Sequence, residues 1–153
     1  MATILTAGER ATLVAALNRI VPAHGELSGA GDLGVADTIE QALAQAPALR
    51  RAFIDGLRAI DLAAGEGGFV ALASDEQESC LRVVEAREPS FFATLVEYAY
   101  RGYYVLPVVQ RAIGLSGEPP QPQGYQLAPF DPALLAIQRR REPFWRRTDG
   151  EGR

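Results

Sequence analysis

Apolar side chains recur along most of this chain at intervals of three and four residues, between loops rich in glycine and proline. That spacing places them on one face of a helix, and the alternation typical of a strand appears over no useful length. Thr6 and Glu9 fit a capping box before the first apolar run, and Pro22 ends it because proline lacks an amide donor. We therefore predict an all-α protein, a compact bundle of about six helices with long loops and an extended C-terminal arm. The predicted core positions are Leu13, Val14, Leu17, Ile20, Val21, Val35, Ile39, Leu43, Phe53, Leu57, Ile60, Leu81 and Val84.

The second half of the chain divides into an apolar helix, a proline-rich segment and a polar end. A second capping box is predicted at Ser74–Gln77, before a helix with its inner face on Leu81 and Val84. Residues 90–106 are the most apolar, and the prolines of residues 118–124 favour extended backbone. A last helix is expected from Pro132 to about Arg141. We divide the chain into a helical domain, residues 1–130, and a C-terminal helix with its arm, residues 131–153. The predicted inner stripe of the apolar helix is Phe92, Leu95, Val96, Ala99 and Tyr103.

Composition excludes several kinds of chemistry. The chain has 153 residues, with one cysteine, one histidine and no lysine, so Schiff-base chemistry and a phosphate-loop lysine are excluded. The net charge is −4 and the arginines concentrate after residue 138, which leaves an acidic body and argues against a nucleic-acid partner. No stretch is apolar enough for a membrane span, and the first residues show neither a signal peptide nor a twin-arginine pair. We expect a cytoplasmic protein, or a periplasmic one only if a signal-bearing partner carries it.

The two residues best suited to catalysis are His24 and Cys80. A general base at His24 would need a nucleophile and an orienting acid, for which Ser28 and Asp32 are the candidates. A glycine-rich loop holds such geometry poorly, so an ordinary surface histidine is favoured. Cys80 lies in an amphipathic helix with acidic neighbours, which favours a structural cysteine over a reactive thiolate.

A candidate partner interface lies in Arg101, Gly102, Tyr103, Tyr104 and Pro107. Glycine inside a helix costs about 1 kcal/mol against alanine, and its usual purpose is to let another backbone approach. Tyrosines offer large contact area with a polar tip, which suits interfaces. Plain core packing explains the same residues equally well, and both interpretations stay open.

The C-terminal segments supply the other interface candidates. Tyr125 follows the proline-rich segment, and Phe144 and Trp145 lie between two groups of arginines. Tryptophan and arginine dominate the binding energy of protein–protein interfaces, so we predict a partner-binding arm. A solvated tail and a membrane-surface arm are the alternatives.

Several short motifs occur in an order that resembles the gluconate 2-dehydrogenase subunit 3 family. The resemblance covers about residues 4–126 and rests on the ordered set more than on any single motif. The motifs are Leu5–Arg10, Ile20–Pro22, Gly34–Asp37 with Ile39, Phe69 with Leu72 and Ser74, Phe91–Phe92, Gly102–Tyr104 with Pro107, Pro119–Pro120 and Gly124–Tyr125.

The resemblance implies a helical accessory subunit without a cofactor of its own. Its partner would be a large flavoprotein of the glucose–methanol–choline type that carries FAD and oxidises a sugar or glycoside, joined in some complexes by a cytochrome c subunit. The small subunit would support the stability, maturation or export of the large one without catalysing the reaction. The alternatives are a stand-alone helical adaptor and a small enzyme centred on His24.

Overall fold

The computed structural model describes residues 4–115 and 130–141, and in these ranges the regular structure is entirely helical. Contacts divide the chain into two units, Met1–Gly117 and Glu118–Arg153, and each is described by itself. The all-α prediction is confirmed, whereas the division at residue 130 stays a prediction because residues 116–129 lie outside the described part. The helices are α1 (Ala7–Ile20), α2 (Val35–Gln45), α3 (Pro47–Ala64), α4 (Ser74–Arg87), α5 (Pro89–Tyr104), α6 (Pro107–Ala112) and α7 (Ala136–Arg139).

The first helix begins with the predicted capping box. The Thr6 side chain accepts a hydrogen bond from the Glu9 amide at 3.2 Å, and the Glu9 carboxylate accepts one from the Thr6 amide at 2.9 Å. These reciprocal bonds satisfy two of the amides that a helix start leaves without partners.

The second predicted capping box is only half formed. Ala73, not Ser74, precedes α4, and the Glu76 carboxylate accepts a hydrogen bond from the Ala73 amide at 2.9 Å. Alanine has no side-chain acceptor to return that bond, and Ser74 is the first residue of the helix. The last predicted helix is also shorter than expected: a 3₁₀ turn covers Pro132–Leu135, and α7 ends at Arg139.

The core of the first unit lies among α1 to α5, and most of the predicted positions are buried there. The correction concerns α5, where Phe91 is buried and Phe92 is only half-buried. Phe91 packs against Gly56 of α3 and meets the ring of Phe53 edge-to-face, with centroids 5.8 Å apart. The missing side chain at Gly56 makes room for that ring, and a pattern within α5 alone cannot reveal it.

A polar cluster, which we name the Asp61 cluster, joins four elements beside this core. The Asp61 carboxylate of α3 accepts hydrogen bonds from the Thr12 hydroxyl of α1 at 3.0 Å and from the Phe69 amide at 3.1 Å. Gln77 of α4 donates to the Phe69 carbonyl at 3.1 Å. Thr12 and Gln77 are both buried. Buried polar groups require such partners, so the cluster fixes the 3₁₀ turn Phe69–Ala71 between α3 and α4.

The loop between α1 and α2 is held at both of its ends. Asn18 donates to the Asp32 carboxylate at 3.0 Å and accepts from the Asp32 amide at 3.2 Å. Arg10 of α1 bonds to both Asp37 and Glu40 of α2. These polar contacts add to the apolar packing of the loop, in which Ala30 is buried in the core and Leu27 and Leu33 pack against it. No helix in the described ranges has the length and hydropathy to cross a bilayer.

Candidate partner-binding site

Large apolar side chains are exposed along residues 100–115, at the end of α5 and through α6. We call them the α5–α6 surface, and the most open of them, Val105, is 60% exposed. Large exposed apolar patches on globular domains often mark interaction sites, whereas single exposed apolar residues are common and need no explanation. Its members are Tyr100, Tyr104, Val105, Val108, Ile113 and Leu115.

Local chain geometry turns these side chains outward. The rings of Tyr100 and Tyr104, one helical turn apart, stack with centroids 6.1 Å apart, and Tyr103 meets Tyr104 edge-to-face at 5.4 Å. The chain then turns at Val105, and Pro107 begins α6, where its missing amide costs no hydrogen bond. The turn leaves Val105 and Val108 in solvent while Val109 enters the core.

The five interface candidates of α5 and α6 divide into two groups. Gly102 and Tyr103 are buried in their own unit, and Gly102 provides the space for Val35 of α2, so the close approach that its glycine permits occurs within the chain. Arg101, Tyr104 and Pro107 are exposed. For these three a role in a partner interface stays a prediction.

Arg101 is partly engaged by its own helix. Its guanidinium donates to Glu97 at 3.0 Å and lies 5.5 Å from the ring centroid of Tyr98. The remaining candidates, Tyr125, Phe144 and Trp145, lie outside the described residues, and their partner-binding role also stays a prediction.

His24 occupies a tight turn without the contacts of a catalytic base. Its backbone pairs with that of Leu27 through two hydrogen bonds, of 2.9 and 3.0 Å, and its side chain is exposed. Asp32, the expected orienting acid, bonds to Asn18 instead. No hydrogen bond joins the imidazole to another residue in the described ranges, so the structure does not bring a triad together there.

Cys80 is buried on the inner face of α4, as a structural cysteine would be. Burial raises the pKa of its thiol, and the negative charge of Asp61 raises that pKa further. Both effects oppose the thiolate that nucleophilic chemistry requires. Within the described ranges, no three His, Cys, Asp or Glu side chains form a group that could hold a metal ion.

Sequence reasoning missed a groove where α1, α4 and α5 meet. Its volume is about 370 Å³, and it lies beside Arg19, Leu81 and Val96. The Nε atom of Arg19 is buried and has no hydrogen-bond partner in the described part of the chain. An arginine at a helix end is usually solvated or bonded to the last carbonyls of the helix. The sequence position of Arg19 therefore does not indicate that its Nε is buried.

Comparison with known proteins agrees with the ordered motifs. The family described as Gluconate 2-dehydrogenase subunit 3 matches residues 7–117, a range that contains α1 to α6 and the whole α5–α6 surface. No curated protein and no solved structure matches the chain. The match covers well over half of the sequence, and the chain therefore belongs to the gluconate 2-dehydrogenase subunit 3 family.

Proposed function

We propose that this chain is a non-catalytic small subunit that binds and stabilises the large subunit of a dehydrogenase. The observation that carries the proposal is the α5–α6 surface, which exposes two stacked tyrosines and four aliphatic side chains within the range that the family matches. Burying such side chains against a partner removes apolar area from water, which is the main favourable term in association.

The chemistry would belong to the large subunit. We propose that this subunit is a flavoprotein that carries FAD and oxidises a sugar or glycoside, with a cytochrome c subunit as a further member of some complexes. A flavin supplies the hydride chemistry, so the small subunit has only to hold its partner in a folded and soluble form. Support for its maturation or export is part of the same proposal.

The test is to purify the tagged chain gently from its native host and to record the absorbance spectrum and the subunit masses. We expect a flavin spectrum and a second polypeptide of flavoenzyme size in fixed ratio to the chain. A stable, colourless monomer would contradict the proposal. A colourless partner would favour a helical adaptor, and sugar oxidation by the chain alone that is lost in His24→Gln would favour a small enzyme.

A further inference from the structure

The first three turns of α3 carry arginines around one open depression, which we call the α3 basic surface. Arg50, Arg51 and Arg58 line it with a single acid, Asp55, and its volume is about 850 Å³. The half-buried side chain of Ile54 adds an apolar contact to the same depression. A depression of this size has room for several side chains of an external segment.

The charge of the α3 basic surface is opposite to that of the unit around it. Residues 4–115 contain 14 acidic residues and nine arginines, and three of those arginines line this one depression. Arg50 and Arg51 are exposed and form no ion pair in the described ranges. Arg58 reaches Glu9 at 3.5 Å, and its side chain is 69% exposed. The positive charge is therefore accessible to a carboxylate of another molecule.

The stability of α3 does not account for these arginines. Arg50 and Arg51 lie near the start of the helix, where the helix dipole disfavours positive side chains and favours acidic ones. Asp55 follows Arg51 by one helical turn, yet no ion pair joins the two in the described part of the chain. Acidic residues at positions 50 and 51 would suit the helix better, so the arginines are better explained by what they bind.

We propose that the α3 basic surface binds an acidic segment of the large dehydrogenase subunit, whose carboxylates pair with Arg50 and Arg51. The inference rests on the proposed function and adds to it a second contact, which shares no residue with the α5–α6 surface. A guanidinium group binds a carboxylate through two parallel hydrogen bonds, so Asp and Glu are the residues that these arginines recognise.

Charge and shape disfavour the other occupants. A second copy in a two-fold symmetric contact would bring the same arginines against one another, and like charges facing each other are unfavourable. A nucleic acid would be repelled by the acidic remainder of the unit. A bilayer presents a broad surface that meets the rim of a depression without filling it. A protruding acidic segment matches both the charge and the concave shape.

The first experiment identifies the occupant by photo-crosslinking in the intact complex. Ala48 lines the depression and is exposed, so Ala48→p-benzoylphenylalanine places the probe there without disturbing the core. Illumination of the complex purified from the native host should link the chain to a large-subunit segment next to at least two Asp or Glu residues. A link to a second copy, to another segment of the same chain, or to a segment with fewer acids would overturn the proposal.

The second experiment measures the affinity of the large subunit for the double variant Arg50→Glu, Arg51→Glu. We expect the dissociation constant to rise at least about tenfold at low salt, because two attractions become repulsions. The difference should shrink at high salt, which screens exposed charges. The control is Arg82→Glu, Arg87→Glu, the same charge change at exposed positions of α4, which should have less than about a twofold effect. Equal weakening by both double variants would contradict a specific site on α3.

Thermal unfolding and vesicle binding of the isolated chain separate the explanations. Arg50→Glu, Arg51→Glu should leave the melting temperature unchanged or higher, because acids near a helix start interact favourably with its dipole. Flotation of the wild-type chain with vesicles of phosphatidylcholine and phosphatidylserine, lost in this variant, would replace the proposal with membrane binding. Normal affinity of the variant for the large subunit would overturn this inference while the proposed function stands. Failure of the wild-type chain to form a complex would instead overturn the proposed function.

Discussion

Gly102 shows how one missing side chain sets the distance between two helices. A Cβ built at this position would lie 2.5 Å from Cγ1 of Val35, which is fully buried in α2. Valine is stiff because it is branched at Cβ, so it cannot rotate away at low cost. The glycine therefore costs helix propensity in α5 and makes possible the packing of α2 against it.

Gly102→Ala should lower the free energy of unfolding by about 1 kcal/mol. Overpacking costs about 1–3 kcal/mol, which outweighs the roughly 1 kcal/mol gained in helix propensity. Gly8→Ala in α1 is the matched control, because nothing lies within 4 Å of its added Cβ, and it should leave stability unchanged or higher. Urea denaturation measures the free energy of unfolding of both variants. A Gly102→Ala variant more stable than wild type would contradict the expectation.

Glu9 makes part of the stability dependent on pH. The hydrogen bond from the Thr6 amide is the largest cause that lowers the pKa of its carboxyl, and the hydroxyl of Thr6 and the charge of Arg58 act in the same direction. A lowered folded-state pKa contributes stability that is present above the unfolded value, near 4.3, and is lost as the pH falls through the folded value.

Glu9→Gln should therefore be less stable than wild type at neutral pH, and the difference should shrink as the pH falls below about 4.3. The denaturant midpoints of the variant and of wild type, recorded from pH 7 to pH 3, measure this difference in stability. Glu66→Gln, an exposed loop position, serves as the control. A constant difference between Glu9→Gln and wild type across that range would show that the carboxylate charge is not the cause.

Among the elements, α3 holds the bundle together with apolar and polar contacts at once. Phe53, Leu57 and Ile60 face the core, and Asp61 joins α1 to the turn before α4 through the Asp61 cluster. A buried threonine hydroxyl and a backbone amide depend on this single carboxylate. Because both donors would lose their acceptor together, the position of the turn depends on Asp61.

Asp61→Ala should cost about 2–4 kcal/mol of unfolding free energy, since two donors are left unsatisfied at about 1–3 kcal/mol each with partial relaxation. Asp55→Ala, on the exposed side of the same helix, should change stability by less than about 0.5 kcal/mol. Chemical denaturation of both variants tests the difference. Equal effects at the two positions would mean that water replaces the carboxylate in the Asp61 cluster.

At the scale of the whole molecule, the α5–α6 surface and the arginine-rich arm are the parts not explained by the folding of the first unit. Tyr104 is exposed and its ring is held by two neighbouring tyrosines, so it would lose little freedom on binding. The arm carries Phe144 and Trp145. Under the proposed function, binding of the large subunit through both surfaces would add the affinity of each.

Tyr104→Ser and Trp145→Ala should each weaken the complex with the large subunit by roughly 2 kcal/mol or more if each residue is an anchor of the interface. Leu62→Ser, at a position 84% exposed on α3, is the control for loss of an exposed apolar side chain. Equilibrium titration of the large subunit measures all three. Unchanged affinity for either variant would remove that residue from the interface.

The predictions from sequence agreed with the structure where the deciding interactions lie within one helix, and were wrong or undecided where they join different helices. Periodicity within one helix predicted the faces of α1, α2 and α3, because those faces meet a core made of similar side chains. The same reasoning chose Phe92 over Phe91, because the deciding contact is Gly56 on another helix. The sequence also left a role in an interface and a role in the core equally open for Gly102 and Tyr103. Their burial within this unit assigns both residues to the core.

The sequence by itself determined the all-helical fold, the first cap, the structural character of Cys80 and the family, since each depends on residue type and local spacing. Only the tertiary structure decided that Gly102 serves the packing of α2, that Asp61 joins α1 to the turn before α4, and that the Nε of Arg19 is buried beside a groove. Those features arise from side chains that lie far apart along the chain and meet only when the helices pack, and no local pattern encodes such a meeting.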